Sequence, residues 1–264
     1  MADDREQSLR AAIWANPDDL EAHRVHADWL LAHGDATLGE YIQLGLAPEQ
    51  NPQQERRANM LLKKYRASWL GPARPFVRSW SHDRRGLLVT ATCEAQVMMN
   101  GFAHLLALGP RLRLTVTTMR KRPRATVAQL AALPLGRLYG LSLSSGVDDR
   151  AISQLAPALA GITHLDLGNN SFSGPGLRAV GRYVAGIRTL SIIADKYKPI
   201  WVDAIVEAPG FATLECVEVR GYDLRTQLPD DAQLARLWSM PAMKRVNPMR
   251  PPGSPTVPMD PSEP

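Results

Sequence analysis

The sequence predicts an α/β protein in which a solenoid of parallel strands, one per repeat, follows a small all-helical domain. Three observations carry that expectation. One aliphatic phrase recurs at nearly constant spacing between Leu138 and Val219, helix-like segments separate its copies, and residues 1–72 carry helix starts and stops instead of the phrase.

In the head, Leu9, Ala12 and Ile13 mark a short first helix. Asn16-Pro17-Asp18-Asp19 then reads as a helix start, with Asn16 as cap, Pro17 at the first helical position and two acids at the positive end of the dipole. That helix stops at Gly34, a third covers Leu38 to Leu46, a fourth covers Arg56 to Trp69, and Gly71-Pro72 breaks the pattern. Trp29 reads as a large buried contact and Asp28 as an acceptor that fixes how two helices meet. His23 and His26, three apart, read as structural, since nothing else completes a metal site.

An entry repeat over 73–110 follows, with Leu87 and Val89 inward, and then Leu114 and Val116 open the array proper. The phrase is clearest as Leu138-x-x-Leu141-x-Leu143, Ile162-x-x-Leu165-x-Leu167, Ile187-x-x-Leu190-x-Ile192 and Leu214-x-x-Val217-x-Val219, whose copies begin 24, 25 and 27 residues apart. Between them Leu155 and Leu159, Val180 and Val184, and Ile200 and Ile205 have helical spacing. The repeats span 111–228. A cap over 229–246, built on the helix Asp230 to Trp238, covers the last apolar layer, and a proline-rich tail over 247–264 reads as extended or disordered.

The phrase and its period resemble leucine-rich repeats, and Asn170 stands where that family carries an asparagine bonded to the turn backbone. The head resembles a second family. NPDDLEAHRVHADWLLAHGD, then GEYIQLGLA and a basic helix ending WLGP, is similar to the bacterial repeat-companion domain, which precedes leucine-rich or related repeats. RRGLLVTATCEAQVMMNGFAHLLALGP is similar to the entry repeat that follows it. The likeness covers residues 9–110, rests best on Ala27-Asp28-Trp29-Leu30 with Gly34-Asp35, and departs at His26, where an aromatic is usual. It implies an architecture and no catalytic residue.

No stretch of roughly 20 apolar residues occurs, and MADDREQSLR is mixed in charge where a secretory leader begins basic, so no membrane insertion and a cytoplasmic location are expected. Cys93 and Cys216 are expected as reduced thiols, and no cofactor or metal is expected. Charge is uneven: residues 1–70 sum to −3, residues 71–246 to +9 and the tail to −1.

Alternation along a strand turns the fourth and sixth phrase positions inward and the third, fifth and seventh outward onto a concave face. The expected binding face is therefore Arg113, Thr115 and Thr117; Gly140, Ser142 and Ser144; His164, Asp166 and Gly168; Thr189, Ser191 and Ile193; and Cys216, Glu218 and Arg220. The basic run Arg120, Lys121, Arg122 and Arg124 adds a loop that suits an acidic protein partner. With few aromatics beside that run, no zinc finger and no evident recognition helix, nucleic acid is not expected as a partner. These features predict a non-catalytic protein-protein interaction or scaffold module. The alternatives are a regulator of a nucleotide-hydrolysing partner and a hydrolase using Ser142 or Ser191 with His164 and Asp166, which lacks a matched nucleophile and base.

Overall fold

The computed structural model describes residues 2–49, 51–117, 123–171, 173–194, 200–221 and 230–249. The fold is α/β, with an amino-terminal helical region and a mostly parallel sheet, and it divides into two units: Met1–Thr92 with Asn100–Leu112, and Cys93–Met99 with Arg113–Pro264.

The first unit opens with α1 (Ala2–Ala15), α2 (Leu20–His33), α3 (Ala36–Leu46) and α4 (Pro52–Tyr65). The α2 start differs from the expectation. Asp19, not Asn16, is the cap, accepting from the amides of Glu21 (3.0 Å) and Ala22 (3.1 Å). Asn16 and Pro17 instead form a turn whose Pro17 carbonyl accepts from His23 Nε2 and Arg85, and Asp18 turns outward to pair with Arg85 and Arg111. Those two arginines hold the Asp18 carboxyl down at about 2. Helix α4 starts four residues earlier than expected because Asn51 and Gln54 close a reciprocal capping box with Pro52 in the first turn.

Ala27, Leu30 and Ile42 form a buried cluster between α2 and α3, with Trp29 half-buried against it. Asp28 accepts from Gln43 Nε2 at 2.7 Å and so ties α2 to α3, as its sequence position suggested. The Arg57 guanidinium grips both oxygens of Glu40 (2.6 and 2.7 Å) and ties α4 to α3. Beyond α4 a 3-10 turn (Ser68–Phe76) leads to an antiparallel pair that the sequence reading lacked, β1 (Ser79–His82) against β2 (Leu88–Glu94). Within β2 the buried residues are Leu88, Ala91 and Cys93, so the expected inward pair Leu87 and Val89 is one residue out of phase. Asp83 sets the phase by accepting from the amides of Arg85 and Leu87 across the hairpin turn. Helix α5 (Ala95–Leu106) follows.

In the second unit, strands and helical segments alternate: β3 (Arg113–Thr117), α6 (Pro123–Ala131), β4 (Gly140–Leu143), β5 (Ser145–Asp148), α7 (Asp149–Leu155), β6 (His164–Ser171), α8 (Gly174–Tyr183), β7 (Thr189–Ala194), α9 (Ile200–Glu207), β8 (Cys216–Gly221), α10 (Asp231–Trp238) and β9 (Arg245–Met249). Strands β3, β4, β6, β7, β8 and β9 lie side by side in that order, every pairing parallel, while β5 extends the β4 side of β6. Register aligns Leu114, Leu141, Leu165, Leu190, Val217 and Val246 in one inward row, with the first five at 2% exposure or less. Leu143, Leu167, Ile192 and Val219 are buried in the next row, and Leu155, Leu159, Val180, Val184 and Ile205 close the helical side. Each such aliphatic contributes roughly 1.5–3 kcal/mol. The side chain of Ile200 lies outside the described residues.

The parallel sheet is also longer than expected. Helix α10 forms where the cap was placed, started by an Asp230–Gln233 capping box, with Leu237 fully buried. The chain then returns as β9, which crosses from the expected cap into the segment read as an extended tail. Met243-x-x-Val246-x-Pro248 is a degraded copy of the phrase, hidden by its final proline, and that proline is tolerated because β9 is an edge strand.

Neighbouring strand–helix segments are tied together by half-buried polar groups. Asn170 accepts from the Val147 amide (2.9 Å) and donates to the Leu143 carbonyl (2.6 Å), and Asp149 accepts from the Ser173 amide and hydroxyl and from the Gly176 amide. Asn170→Ala leaves one backbone donor on β5 and one acceptor on β4 unsatisfied. Its expected cost in urea unfolding is about 1–3 kcal/mol.

Candidate functional site

The outward positions of the second unit form two rows across the sheet. Strand starts supply Arg113, Gly140, His164, Thr189, Cys216 and Arg245. The row two residues on is Thr115, Ser142, Asp166, Ser191 and Glu218. Thr117 and Ser144 lie beyond these rows, their hydroxyls donating to the carbonyls of Cys93 and Val116. The alternation expected from the phrase therefore places these residues on one face. Arg120, Lys121 and Arg122, and the side chains of Ile193, Arg220 and Arg124, lie outside the described residues.

The face is less open than the alternation implied. Arg113 is exposed, Thr115, Thr117, Ser142, Ser144, His164, Asp166, Thr189, Cys216 and Glu218 are half-buried, and Gly140, Gly168 and Ser191 are buried. Ser191 is 4% exposed with its hydroxyl unpartnered, because its short side chain stands in register between the longer carboxylates of Asp166 and Glu218. Gly168 marks a bend: at φ 44° its amide donates to Asp166 Oδ1 (2.9 Å) and the β6–β7 register shifts beside it.

Ser142, Asp166 and Ser191 are in register, as expected, but they do not form a proton relay. Ser142 Oγ donates to Asp166 Oδ2 at 3.3 Å, whereas His164 Nδ1 is buried without a hydrogen-bond partner. The His164 ring packs on Tyr139 instead, with centroids 4.4 Å apart, and the Arg113 guanidinium lies 5.8 Å from the centre of the Tyr139 ring. Gly140 permits this cluster, since a methyl group there would meet Arg113 Cγ at 2.8 Å and His164 Cβ at 3.2 Å.

The sequence reading missed Tyr139 because it assigned the second phrase position no role. It also missed a charged group at the later strand starts, where Glu215 pairs with Lys244 (3.0 Å) and Arg188 (3.7 Å) and Glu218 accepts from Arg245 (3.2 Å). The seventh copy of the phrase would have located Lys244 and Arg245. These neighbours hold the Glu215 carboxyl below its usual range, with Lys244 contributing most. Cys93 and Cys216 are free thiols, and burial pushes Cys93 up to about 12 and Cys216 above its ordinary value.

Burial, then the charges of Arg113 and Arg188, push His164 down to about 4. Burial also takes His26 and His82, beside a cavity of about 280 Å³ in the first unit, to about 4. All three are neutral when folded and take up protons near 6.5 when unfolded, so the unfolded chain binds more protons between those values. Stability should therefore fall as pH drops from about 6.5 towards about 4. Urea unfolding across that window checks the fall, and the His164 ring resonances should titrate near its lower limit.

Among the described residues no group of three His, Cys, Asp or Glu side chains is placed to hold a metal ion, and no helix is long and apolar enough to cross a membrane. No protein-family model matches this chain, and no curated protein or solved structure is similar to it at a significant level.

Proposed function

We propose that the second unit is a leucine-rich-repeat solenoid and that the chain, with a head of the repeat-companion type, is a non-catalytic module that holds a protein partner on the outward face of its sheet. The observation that carries this reading is the pair of in-register, mostly polar rows across the parallel strands, from Arg113 to Arg245 and from Thr115 to Glu218. Such rows offer a regular set of donors and acceptors over several repeats, the usual way an array engages another protein. The Asn170 clamp supports the repeat assignment, and the isolation of His164 from Ser142 and Asp166 argues against a hydrolase. An acidic partner fits the +9 charge of residues 71–246 and the exposed Arg113 at the first strand start.

Capture from the native cell, read by mass spectrometry with wild-type and variant baits in parallel, tests this. Thr189→Arg and Arg113→Glu should each lose the protein that wild type retains, whereas Arg182→Glu on the exposed side of α8 should keep it. Reversal of Arg120, Lys121, Arg122 and Arg124 should weaken capture and flatten its salt dependence. Retention by both face variants would overturn the reading, as would ester or peptide turnover that disappears in His164→Ala and Asp166→Ala.

A further inference from the structure

Between Arg56 and His82 the chain carries seven cations, Arg56, Arg57, Lys63, Lys64, Arg66, Arg74 and Arg78, and no Asp or Glu. Arg57 is committed to Glu40. Lys63, Lys64, Arg66 and Arg74 are exposed, and among the described residues none of them pairs with a carboxylate. Two of them converge on one ring: the guanidiniums of Arg66 and Arg74 lie 5.2 and 5.1 Å from the centre of Trp80. Lys64 sits 5.0 Å from the centre of the Tyr65 ring, and Lys63 lies three residues before Arg66 at the end of α4. The negative end of the α4 dipole favours Lys63, Lys64 and Arg66 there. It does not account for Arg74, which reaches the same ring from the 3-10 turn.

We propose that this surface of the first unit binds the phosphate backbone of a nucleic acid duplex. Gathered cations without counter-charges repel one another, and a polyanion relieves that repulsion while releasing its own counterions. Guanidiniums held against a ring present forked donors at fixed positions, which suits phosphate oxygens repeating along a backbone. Because those guanidiniums lie over Trp80, the ring is not free as a platform for unstacked bases. Contact therefore goes to phosphates, favours duplex over single strand and carries no sequence preference. The proposal uses residues other than those of the protein-partner reading and does not depend on it.

The test is fluorescence anisotropy of the full chain with a labelled DNA duplex of roughly 20 base pairs, titrated at several salt concentrations. Wild type should bind at low salt with a log–log salt slope of about −3 to −4, as expected for roughly four neutralised phosphates. Arg66→Gln/Arg74→Gln should weaken binding at least about tenfold and reduce the slope by about 2. The control Arg24→Glu/Arg182→Glu, which removes more positive charge at two other exposed sites, should bind as wild type does, and circular dichroism should show all three chains folded. Absence of duplex binding overturns the proposal. So does equal weakening by the control, or equally tight binding at matched salt to single strands, poly-glutamate or phosphatidylserine-containing vesicles.

Discussion

Leu165→Asp is expected to unfold much of the second unit, at a cost of at least about 4 kcal/mol. Leu165 is 1% exposed and stands between Leu141 and Leu190 in the inward row. The substitution removes about 2–3 kcal/mol of apolar burial and puts a carboxyl where no donor awaits it, so the group must be buried unpaired or held protonated. Its neighbour provides the contrast. Asp166→Ala loses the bonds from Ser142 Oγ and the Gly168 amide on a half-buried face and should cost about 1 kcal/mol. Urea unfolding followed by circular dichroism distinguishes the two, and equal losses would mean that the strand faces the other way.

Gly136→Val should cost about 3 kcal/mol or more, for a reason invisible in the local sequence. Gly136 lies in the 3-10 turn Leu135–Arg137 before β4, and a methyl group there would fall 1.5 Å from the Ala160 carbonyl oxygen and 2.6 Å from its carbon. Successive turns thus touch backbone to backbone, and neither side has a flexible side chain to move aside. A similar contact occurs two repeats on, where a methyl group at Gly210 would meet the Val184 carbonyl oxygen at 2.1 Å. Gly109→Ala is the matched control, since its nearest contact would be an ordinary 3.5 Å, and it should shift stability by less than about 1 kcal/mol. Comparable losses at Gly136 and Gly109 would refute close packing of the turns.

The parallel strands were legible because burial imposes a period that the sequence must keep. Leu141, Leu165, Leu190 and Val217 could be aligned by spacing alone, and register follows from that alignment. The entry strand was misphased because Asp83 and its hairpin turn, not an aliphatic period, set which β2 residues are buried. Strand β9 escaped because proline replaced the last aliphatic of its phrase. On the face, which residues turn outward could be read, but not which meet. The Tyr139–His164–Arg113 cluster depends on the gap left by Gly140 in the neighbouring row. In the head, dividing the charge near residue 70 split the cations that gather around Trp80.

The sequence by itself determined the inward rows of the parallel strands, the helix start at Asp230 and the clamp position of Asn170, since each rests on local periodicity or on a side chain reaching backbone close in the repeat. Tertiary structure decided what depends on distant chain segments arriving together. It moved the α2 cap to Asp19 by directing Asp18 to Arg85 and Arg111, buried Ser191 between two carboxylates, and made Gly136 irreplaceable by bringing Ala160 against it. The physical division is one of range: burial period and capping act over a few residues, whereas charge pairing, shading and backbone contact belong to neighbours that only the folded chain supplies.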